Sequence, residues 1–276
     1  MACTALSGLE GSLVVAIGTK LIAHSWDGEN LTPNAFFDTP LHTVTINTVK
    51  NFILLGDLQK GAHFFRWKDT PNEKLLVQLA KDFEAMDILA TEFLVDGGTL
   101  SLLATDMTGN ACVFAYEPKS VASWKGQKLM LRSAFHVGSP VHRMVRFKLK
   151  PSGGDGADAA GANRHAVFFG TLDGSLGILV PIEQQTHAAL LRLQRHLETA
   201  TVRPAGLNSR TYRAPKTQEG RVTRPPAPHA LLDGETLAEF ERLSWRAQAS
   251  AAEAAGMTRR EALSHLHRLS ARTAFM

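Results

Sequence analysis

The sequence is poor in the residue types that build disulfide frameworks, structural metal sites and membrane spans. Its 276 residues include two cysteines, Cys3 and Cys112, which are too few for a disulfide network or for a zinc site on their own. No apolar run approaches the ~18 residues needed to cross a bilayer, and the longest, such as Leu13–Ile17, have the length of buried strands. No basic segment precedes an apolar stretch near Met1, so a secretory leader is not expected. We therefore expect a soluble, intracellular chain with no membrane contact.

Charge is present in modest amount and is unevenly distributed. Charged residues make up 20% of the chain and apolar residues 44%, which excludes global disorder and leaves material for a core. Residues 1–180 carry 16 Lys and Arg against 17 Asp and Glu, whereas residues 181–276 carry 14 against 9, and 13 of those 14 cations are Arg. The planar Arg side chain suits phosphate or carboxylate. The basic C-terminal third thus indicates an acidic protein partner or nucleic acid, unless it is simply a solvated helix surface.

Three segments of the first 180 residues share the pattern of a β-hairpin. Each has an apolar strand, a polar turn containing Gly and a second strand that often carries an aromatic residue; they span 52–67, 100–116 and 166–180. Gly supplies the positive φ that tight hairpin turns require. A fourth, shorter version spans 12–26, and we place its turn at Thr19-Lys20, which lacks a central Gly.

The hairpins recur at a spacing typical of β-propellers. Gly61 and Gly109 lie 48 residues apart, and Gly109 and Gly174 lie 65 apart with a small-residue loop of 13 residues at 151–163 between them. A repeat of ~40–50 residues with several strands per unit is the mark of a propeller blade, and further strands are predicted at 41–47, 86–95 and 141–147. We predict a mainly β fold with a C-terminal α region: a partial WD-repeat-like β-propeller over 1–182, with a sandwich or another all-β fold as the alternative. About four blades leave open strand edges, so we expect either the back part of a longer protein or a chain that borrows blades from elsewhere.

The remaining residues, 183–276, are predicted to form a small helical domain of three amphipathic helices. Leucines at helical spacing mark the first helix over 183–197, and acidic residues open the second over 233–243. Thr258-Arg-Arg-Glu261 is a capping box that begins the third. Between the first two lies a Pro/Arg-rich linker, about 201–229, which we expect to be extended or disordered.

No catalytic or cofactor-binding pattern is found. The Gly-rich loop lacks the Lys-Ser/Thr of a nucleotide-binding loop, and Gly174-Ser-Leu-Gly177 lacks the spacing of a nucleophile elbow. His265 and His267 are two residues apart on a predicted helix, where they face different directions. We expect no enzyme activity, cofactor, metal or small-molecule substrate. The carboxylates near the hairpin turns are assigned to hydrogen bonds with the local backbone; they are Asp57, Asp106 and Asp173. The strand aromatics are assigned to the core, with base stacking as the lesser alternative; they are Trp67, Phe114 and Tyr116.

Several motifs resemble the C-terminal region of the largest subunit of the cleavage and polyadenylation specificity factor. The motifs are Lys50-Asn-Phe-Ile-Leu54, Phe135-His-Val-Gly138, Phe169-Gly-Thr-Leu-Asp-Gly174, Ala205-Gly-Leu-Asn-Ser-Arg210 and Leu231-Leu-Asp-Gly-Glu-Thr-Leu237. The wider superfamily includes the large subunit of the damaged-DNA-binding complex and a splicing factor 3b subunit. The resemblance implies three propellers followed by a helical domain, of which this chain matches the later blades of the third propeller and the helices.

The resemblance also implies a function: a nuclear, non-catalytic scaffold that binds other cleavage and polyadenylation subunits and pre-mRNA. A damaged-DNA-binding or ubiquitin-ligase adaptor is the first alternative, and a propeller-type enzyme the second. On the basis of the basic C-terminal third, we predict that seven arginines contact RNA or partners: Arg192, Arg195, Arg203, Arg210, Arg213, Arg221 and Arg224.

Overall fold

The apolar segments of the first part of the chain form antiparallel sheets whose strands follow one another in chain order. The computed structural model describes residues 2–70, 73–149, 163–200, 208–216 and 231–273. The first sheet contains β1 (Cys3–Leu9), β2 (Ser12–Ile17), β3 (Lys20–Trp26) and β4 (Leu31–Asp38). The second contains β5 (Thr43–Val49), β6 (Phe52–Asp57), β7 (Gly61–Thr70) and β8 (Glu73–Lys81).

The third and fourth sheets repeat this plan, although the fourth contains one strand fewer among the described residues. The third contains β9 (Ile88–Asp96), β10 (Thr99–Asp106), β11 (Asn110–Ala115) and β12 (Met130–His136). The fourth contains β13 (Val141–Lys148), β14 (His165–Thr171) and β15 (Leu176–Leu179). The four predicted hairpins and the three additional strands are therefore confirmed. The loop predicted at 151–163 falls outside the described residues except for Asn163.

The four sheets are arranged like the blades of a propeller, as predicted. The first strand of each sheet contacts the first strand of the next: β1 with β5, β5 with β9, and β9 with β13. Hydrophobic clusters fill the space between neighbouring sheets. Side chains alternate between the faces of a strand, so the adjacent residues Phe64 and Phe65 of β7 enter the clusters on opposite sides of their sheet.

The turns show why the hairpins form where they do. In the first sheet Ile17 pairs with Lys20, so the turn is Gly18-Thr19 and Gly18 has a φ of 59°. The predicted placement at Thr19-Lys20 was wrong by one residue, because strand pairing extends further than the apolar pattern indicates. In the second sheet the buried Asp57 carboxylate accepts hydrogen bonds from the Gln59 and Lys60 amides, each at 3.1 Å. Local backbone binding, as predicted for this carboxylate, is confirmed.

The C-terminal part contains more helices than predicted. The described helices are α1 (Gln184–Ala200), α2 (Ser209–Tyr212), α3 (Gly234–Arg242), α4 (Trp245–Ala254) and α5 (Arg259–Thr273). The prediction of three helices missed α2 and α4. The extended or disordered linker expected over 201–229 is wrong at 208–216, where the Asn208 side chain accepts the Arg210 and Thr211 amides and caps α2. The rest of that linker lies outside the described residues.

Helices α1, α3, α4 and α5 share one apolar core. Fully buried side chains from three different helices meet in it, among them Leu193, Phe240 and Ala262. The capping box predicted for the last helix is present, since the Glu261 amide donates to Thr258 Oγ1 at 3.2 Å and the Thr258 amide donates to Glu261 Oε2 at 2.8 Å.

Candidate nucleic-acid and partner interface

One arginine joins the sheets to the helices. The Arg213 side chain is 14% exposed, and its Nε donates to Asp233 Oδ2 at 3.1 Å while Nη2 reaches Glu235 Oε2 at 2.5 Å. Its Nη1 donates to the carbonyl oxygens of His136, the last residue of β12, and of Val137, at 3.3 and 2.9 Å. Because Asp233 is the N-cap of α3, a single guanidinium connects the third sheet to the helical core.

The backbone around Arg213 is held by the same sheet. Asn110, at the start of β11, accepts the Lys216 amide through Oδ1 at 2.9 Å and donates to the Lys216 carbonyl through Nδ2 at 2.7 Å. The same Asn110 amide group donates to Asp106 Oδ2 at 2.8 Å. The His136 amide donates to the Arg213 carbonyl at 3.0 Å. Residues 213–216 are thus tied to the β10–β11 turn and to the end of β12.

An aromatic contact completes this attachment. Tyr212 lies edge-to-face with the His136 ring, with 5.7 Å between the ring centroids. Gly138 has a φ of 118°, and a Cβ there would lie 2.5 Å from the Tyr212 hydroxyl oxygen. Burial, together with the positive charges of Lys216 and Arg213, lowers the pKa of His136. The neutral imidazole is therefore favoured under this basic segment.

A cleft of about 520 Å³ opens beside the attachment, between the turns after β12 and β14 and the start of α3. Its walls contain both polar and apolar side chains, among them Ser139, Thr171, Leu176, Arg213 and Asp233. The Asp233 amide donates to Gln194 Oε1 of α1 at 2.9 Å. The start of α3, which forms one wall of the cleft, is therefore held in position by α1.

The seven predicted arginines fall into four groups. Arg195 and Arg210 are exposed and line one groove of about 420 Å³ between α1 and α2, together with Glu198. Arg192 is exposed on α1, with its guanidinium carbon 4.0 Å from the position of a Cβ added at Gly256. Arg213 is the arginine that connects the third sheet to α3, and its guanidinium is already bonded to groups of this chain. The remaining three, Arg203, Arg221 and Arg224, lie outside the described residues.

No metal-binding arrangement is found among the described residues of the site. Within the described ranges, no group of three or more His, Cys, Asp and Glu side chains is placed to bind an ion. His267 instead lies 3.8 Å from the Glu241 carboxylate, and both side chains are well exposed. Asp106 accepts the Thr108 and Asn110 amides at 3.0 and 2.8 Å, so it organises a turn as predicted.

The exposed aromatic residues are not the ones the sequence singled out. Trp67 and Phe114 are 2% and 0% exposed, which confirms the core assignment. Phe83 and Trp124, by contrast, are 45% and 53% exposed and lie on loops that the strand pattern leaves out. The Trp124-Lys-Gly-Gln-Lys128 segment, an aromatic residue beside two lysines between predicted strands, was the available signal.

The sheets and the docked helices define a class: a propeller-type protein with a helical C-terminal part. The chain belongs to the family described as the CPSF A subunit region, whose family model matches residues 1–242. The resemblance noted in the sequence motifs is thereby confirmed.

Two plant proteins match the whole chain. It is 42% identical over 275 residues to the "Probable cleavage and polyadenylation specificity factor subunit 1" of Oryza sativa subsp. japonica, covering 100% of this chain and 19% of that protein. It is 42% identical over 276 residues to the corresponding subunit 1 of Arabidopsis thaliana, covering 100% and 18%. Subunit 1 of Drosophila melanogaster is 29% identical over 242 residues, covering 87% and 16%. The chain therefore spans about a fifth of the length of these relatives.

Among the described helices, none has the length and apolar character of a membrane span.

Proposed function

We propose that this chain is part of a non-catalytic scaffold subunit of the nuclear machinery that cleaves and polyadenylates pre-mRNA. The observation that carries the proposal is the family match over residues 1–242, together with relatives named as subunit 1 of the cleavage and polyadenylation specificity factor. Its partners are the other cleavage and polyadenylation subunits. We further propose that the predicted division, a partial propeller over 1–182 and a helical domain over 183–276, provides two binding surfaces held in a fixed relative position.

A fixed relative position of the sheets and helices suits the chain to a scaffolding role. A surface that keeps its shape loses little conformational entropy when a partner binds. Arg213 bonds to two carboxylates and two carbonyl oxygens across the joint, which supports a single rigid platform. The locally satisfied Asp57 and Asp106 carboxylates, held in their turns, support a binding role over an acid–base role.

Affinity capture tests the partner assignment. The tagged full chain is incubated with nuclear extract, and the retained proteins are probed for cleavage and polyadenylation subunits and for cullin-type ligase subunits. We expect the former to be retained. Arg213→Ala, which releases the joint, lowers their recovery several-fold, whereas Arg246→Ala on the exposed surface of α4 serves as the matched control. Retention of cullin-type subunits alone would overturn the proposal in favour of the ubiquitin-ligase adaptor branch.

The same proposal assigns RNA contact to the exposed arginines Arg192, Arg195 and Arg210. Guanidinium groups bind phosphate oxygens through paired donors, and the groove between α1 and α2 brings Arg195 and Arg210 to one surface. Phosphate contact of this kind carries little base preference. We therefore propose that this surface, with Arg203, Arg221 and Arg224, contacts the backbone of pre-mRNA.

Salt dependence tests the phosphate contact. Binding of a labelled single-stranded RNA to the full chain is measured at two salt concentrations. Each neutralised phosphate contributes a slope of about −0.7 to log K against log salt, so R195Q with R210Q is expected to make the slope shallower by about 1.4. Lys20→Gln, which removes an exposed cation from the first sheet, is the control. Salt-insensitive binding, or a slope unchanged in the double variant, would contradict the phosphate contact.

A further inference from the structure

Two large aromatic side chains lie together on the surface of the second and third sheets. Phe83 follows β8, Trp124 lies in the β11–β12 connection, and their rings meet edge-to-face with 4.8 Å between centroids. They are 45% and 53% exposed. Such aromatic area is ordinarily placed in the core, where Trp67 and Phe114 of the same sheets lie. An exposed pair of aromatic side chains in mutual contact indicates a binding surface.

Each ring carries a lysine over its face. Lys81 Nζ lies 4.8 Å from the centroid of Phe83, and Lys128 Nζ lies 5.2 Å from that of Trp124. Within the described part of the chain, neither ammonium group forms an ion pair with a carboxylate. We call these four side chains the aromatic–lysine platform. Two rings and two lysines are thus concentrated on one surface.

The backbone is built to hold the platform in place. The Lys81 amide donates to the Gln127 carbonyl at 2.9 Å, and the Leu129 amide donates to the Lys81 carbonyl at 3.0 Å, so the end of β8 pairs directly with the β11–β12 connection. Trp124 and Lys125 both adopt left-handed backbone conformations, with φ of 52° and 58°. For residues other than Gly this costs about 1–2 kcal/mol each. Strain of this kind is typically retained where it positions functional side chains.

We propose that the aromatic–lysine platform binds single-stranded RNA, with a base stacked on the exposed rings and the lysines against the flanking phosphates. Aromatic rings beside cations are the usual means of binding single strands, because every base has a stacking face. Protein interfaces are depleted of Lys and enriched in Arg, whereas both cations that the described residues place over these rings are Lys. The assignment of RNA rests on the proposed function, but the platform shares no residue with the Arg195–Arg210 groove.

Paired substitutions on the full chain test the platform. Affinity for a labelled 12-nucleotide single-stranded RNA is measured by fluorescence polarisation. Removing one stacking ring is worth about 1–3 kcal/mol, or roughly 5- to 150-fold in affinity. We expect Trp124→Ala to weaken binding within that range at unchanged salt slope, and Trp124→Phe to restore most of it. Trp26→Ala, at an equally exposed tryptophan on the first sheet, is the control and stays within twofold.

The lysines give a second and independent measurement. Lys128→Gln is expected to make the salt slope shallower by about 0.7, while Phe83→Ala reduces affinity without changing the slope.

If Trp124→Ala and Phe83→Ala bind like the parent chain while R195Q with R210Q does not, the platform is overturned and the proposed function stands. If the parent chain binds no RNA, the platform and the proposed RNA contact both fall. If Trp124→Ala abolishes capture of polyadenylation subunits but leaves RNA binding intact, the surface is a protein interface and the proposal is overturned.

Discussion

Arg213 and Asp233 face each other between the third sheet and the helices, with 3.1 Å from Nε to Oδ2 and 3.3 Å from Nη2 to Oδ1. The two side chains are 14% and 7% exposed. The arrangement is bidentate, which is the strong form of an arginine–carboxylate pair. Twenty residues separate the partners in the sequence, so the contact depends on the folded arrangement of both parts.

Removal of the Arg213 guanidinium is expected to destabilise the chain markedly. Arg213→Ala leaves the buried Asp233 carboxylate unpaired, and breaking such a pair from one side costs about 3–5 kcal/mol. Arg213→Lys keeps the charge but loses the planar fork, so we expect an intermediate loss. Urea unfolding measures both. Arg210→Ala, at an exposed arginine three residues earlier, is the control. An equal loss of stability at both positions would contradict the stabilising role of the Arg213–Asp233 pair.

A glycine under Tyr212 provides a second test of the same attachment. Gly138→Ala requires an unfavourable positive φ, which costs about 1–2 kcal/mol, and places a Cβ 2.5 Å from the Tyr212 hydroxyl oxygen. We expect a loss of stability of at least that size in thermal unfolding. Tyr212→Phe in the same chain removes the colliding oxygen and restores part of it. Gly98→Ala has open space around the added Cβ and is expected to change stability by less than about 0.5 kcal/mol.

Acid is expected to weaken the second sheet through His63. This imidazole is 2% exposed, and burial lowers its pKa from 6.5 to about 4, an effect that Lys81 adds to and Asp57 opposes. Between these values the unfolded chain binds more protons than the folded one, so stability falls as pH drops from about 7 to 4. The full loss is about 3 kcal/mol.

Unfolding measured across that pH range checks the His63 prediction. His63→Gln removes the titrating group, so its stability is expected to vary less with pH than that of the parent chain. His142→Gln, at an exposed position on β13, keeps the parent profile. A parent profile that is flat between pH 7 and 5 would contradict the prediction, and an unchanged profile in His63→Gln would show that another group is responsible.

The capping box offers a local counterpart to these long-range tests. Thr258→Ala removes the hydroxyl that accepts the Glu261 amide, and loss of such a cap costs about 0.5–2 kcal/mol. Urea unfolding measures the change. Ser264→Ala, in the exposed interior of α5, is the control, and a comparable loss there would mean that the cap contributes nothing of its own.

Features that depend on neighbouring residues were the ones predictable from sequence. The capping box and the hairpin turns at Gly61, Gly109 and Gly174 follow from local chemistry, and each is present. Helix α2 was missed because four residues carry no periodic signal and their stability comes from the Asn208 cap and from packing on β12. Helix α4 was missed because its alanines form no apolar stripe of large side chains.

The candidate site was less predictable, because its groups meet only in the folded chain. Arg213 has the same local pattern as Arg210, yet its partners lie 20 to 77 residues away and enclose it. Likewise, Trp124 looks in sequence like any loop tryptophan. Its exposure beside Phe83 follows from the pairing of Lys81 with Lys128, which no spacing rule indicates.

The attachment of residues 212–216 has a consequence for how the chain comes apart. Asn110 and His136 of the third sheet hydrogen-bond Lys216 and Arg213, and Arg213 in turn pairs with Asp233, the N-cap of α3. Heat that frees the helices must therefore also strip hydrogen-bond partners from the ends of β11 and β12. We expect calorimetry to record one endotherm for the helices and the neighbouring sheet, with no earlier helical melt and no proteolytic intermediate that keeps one without the other.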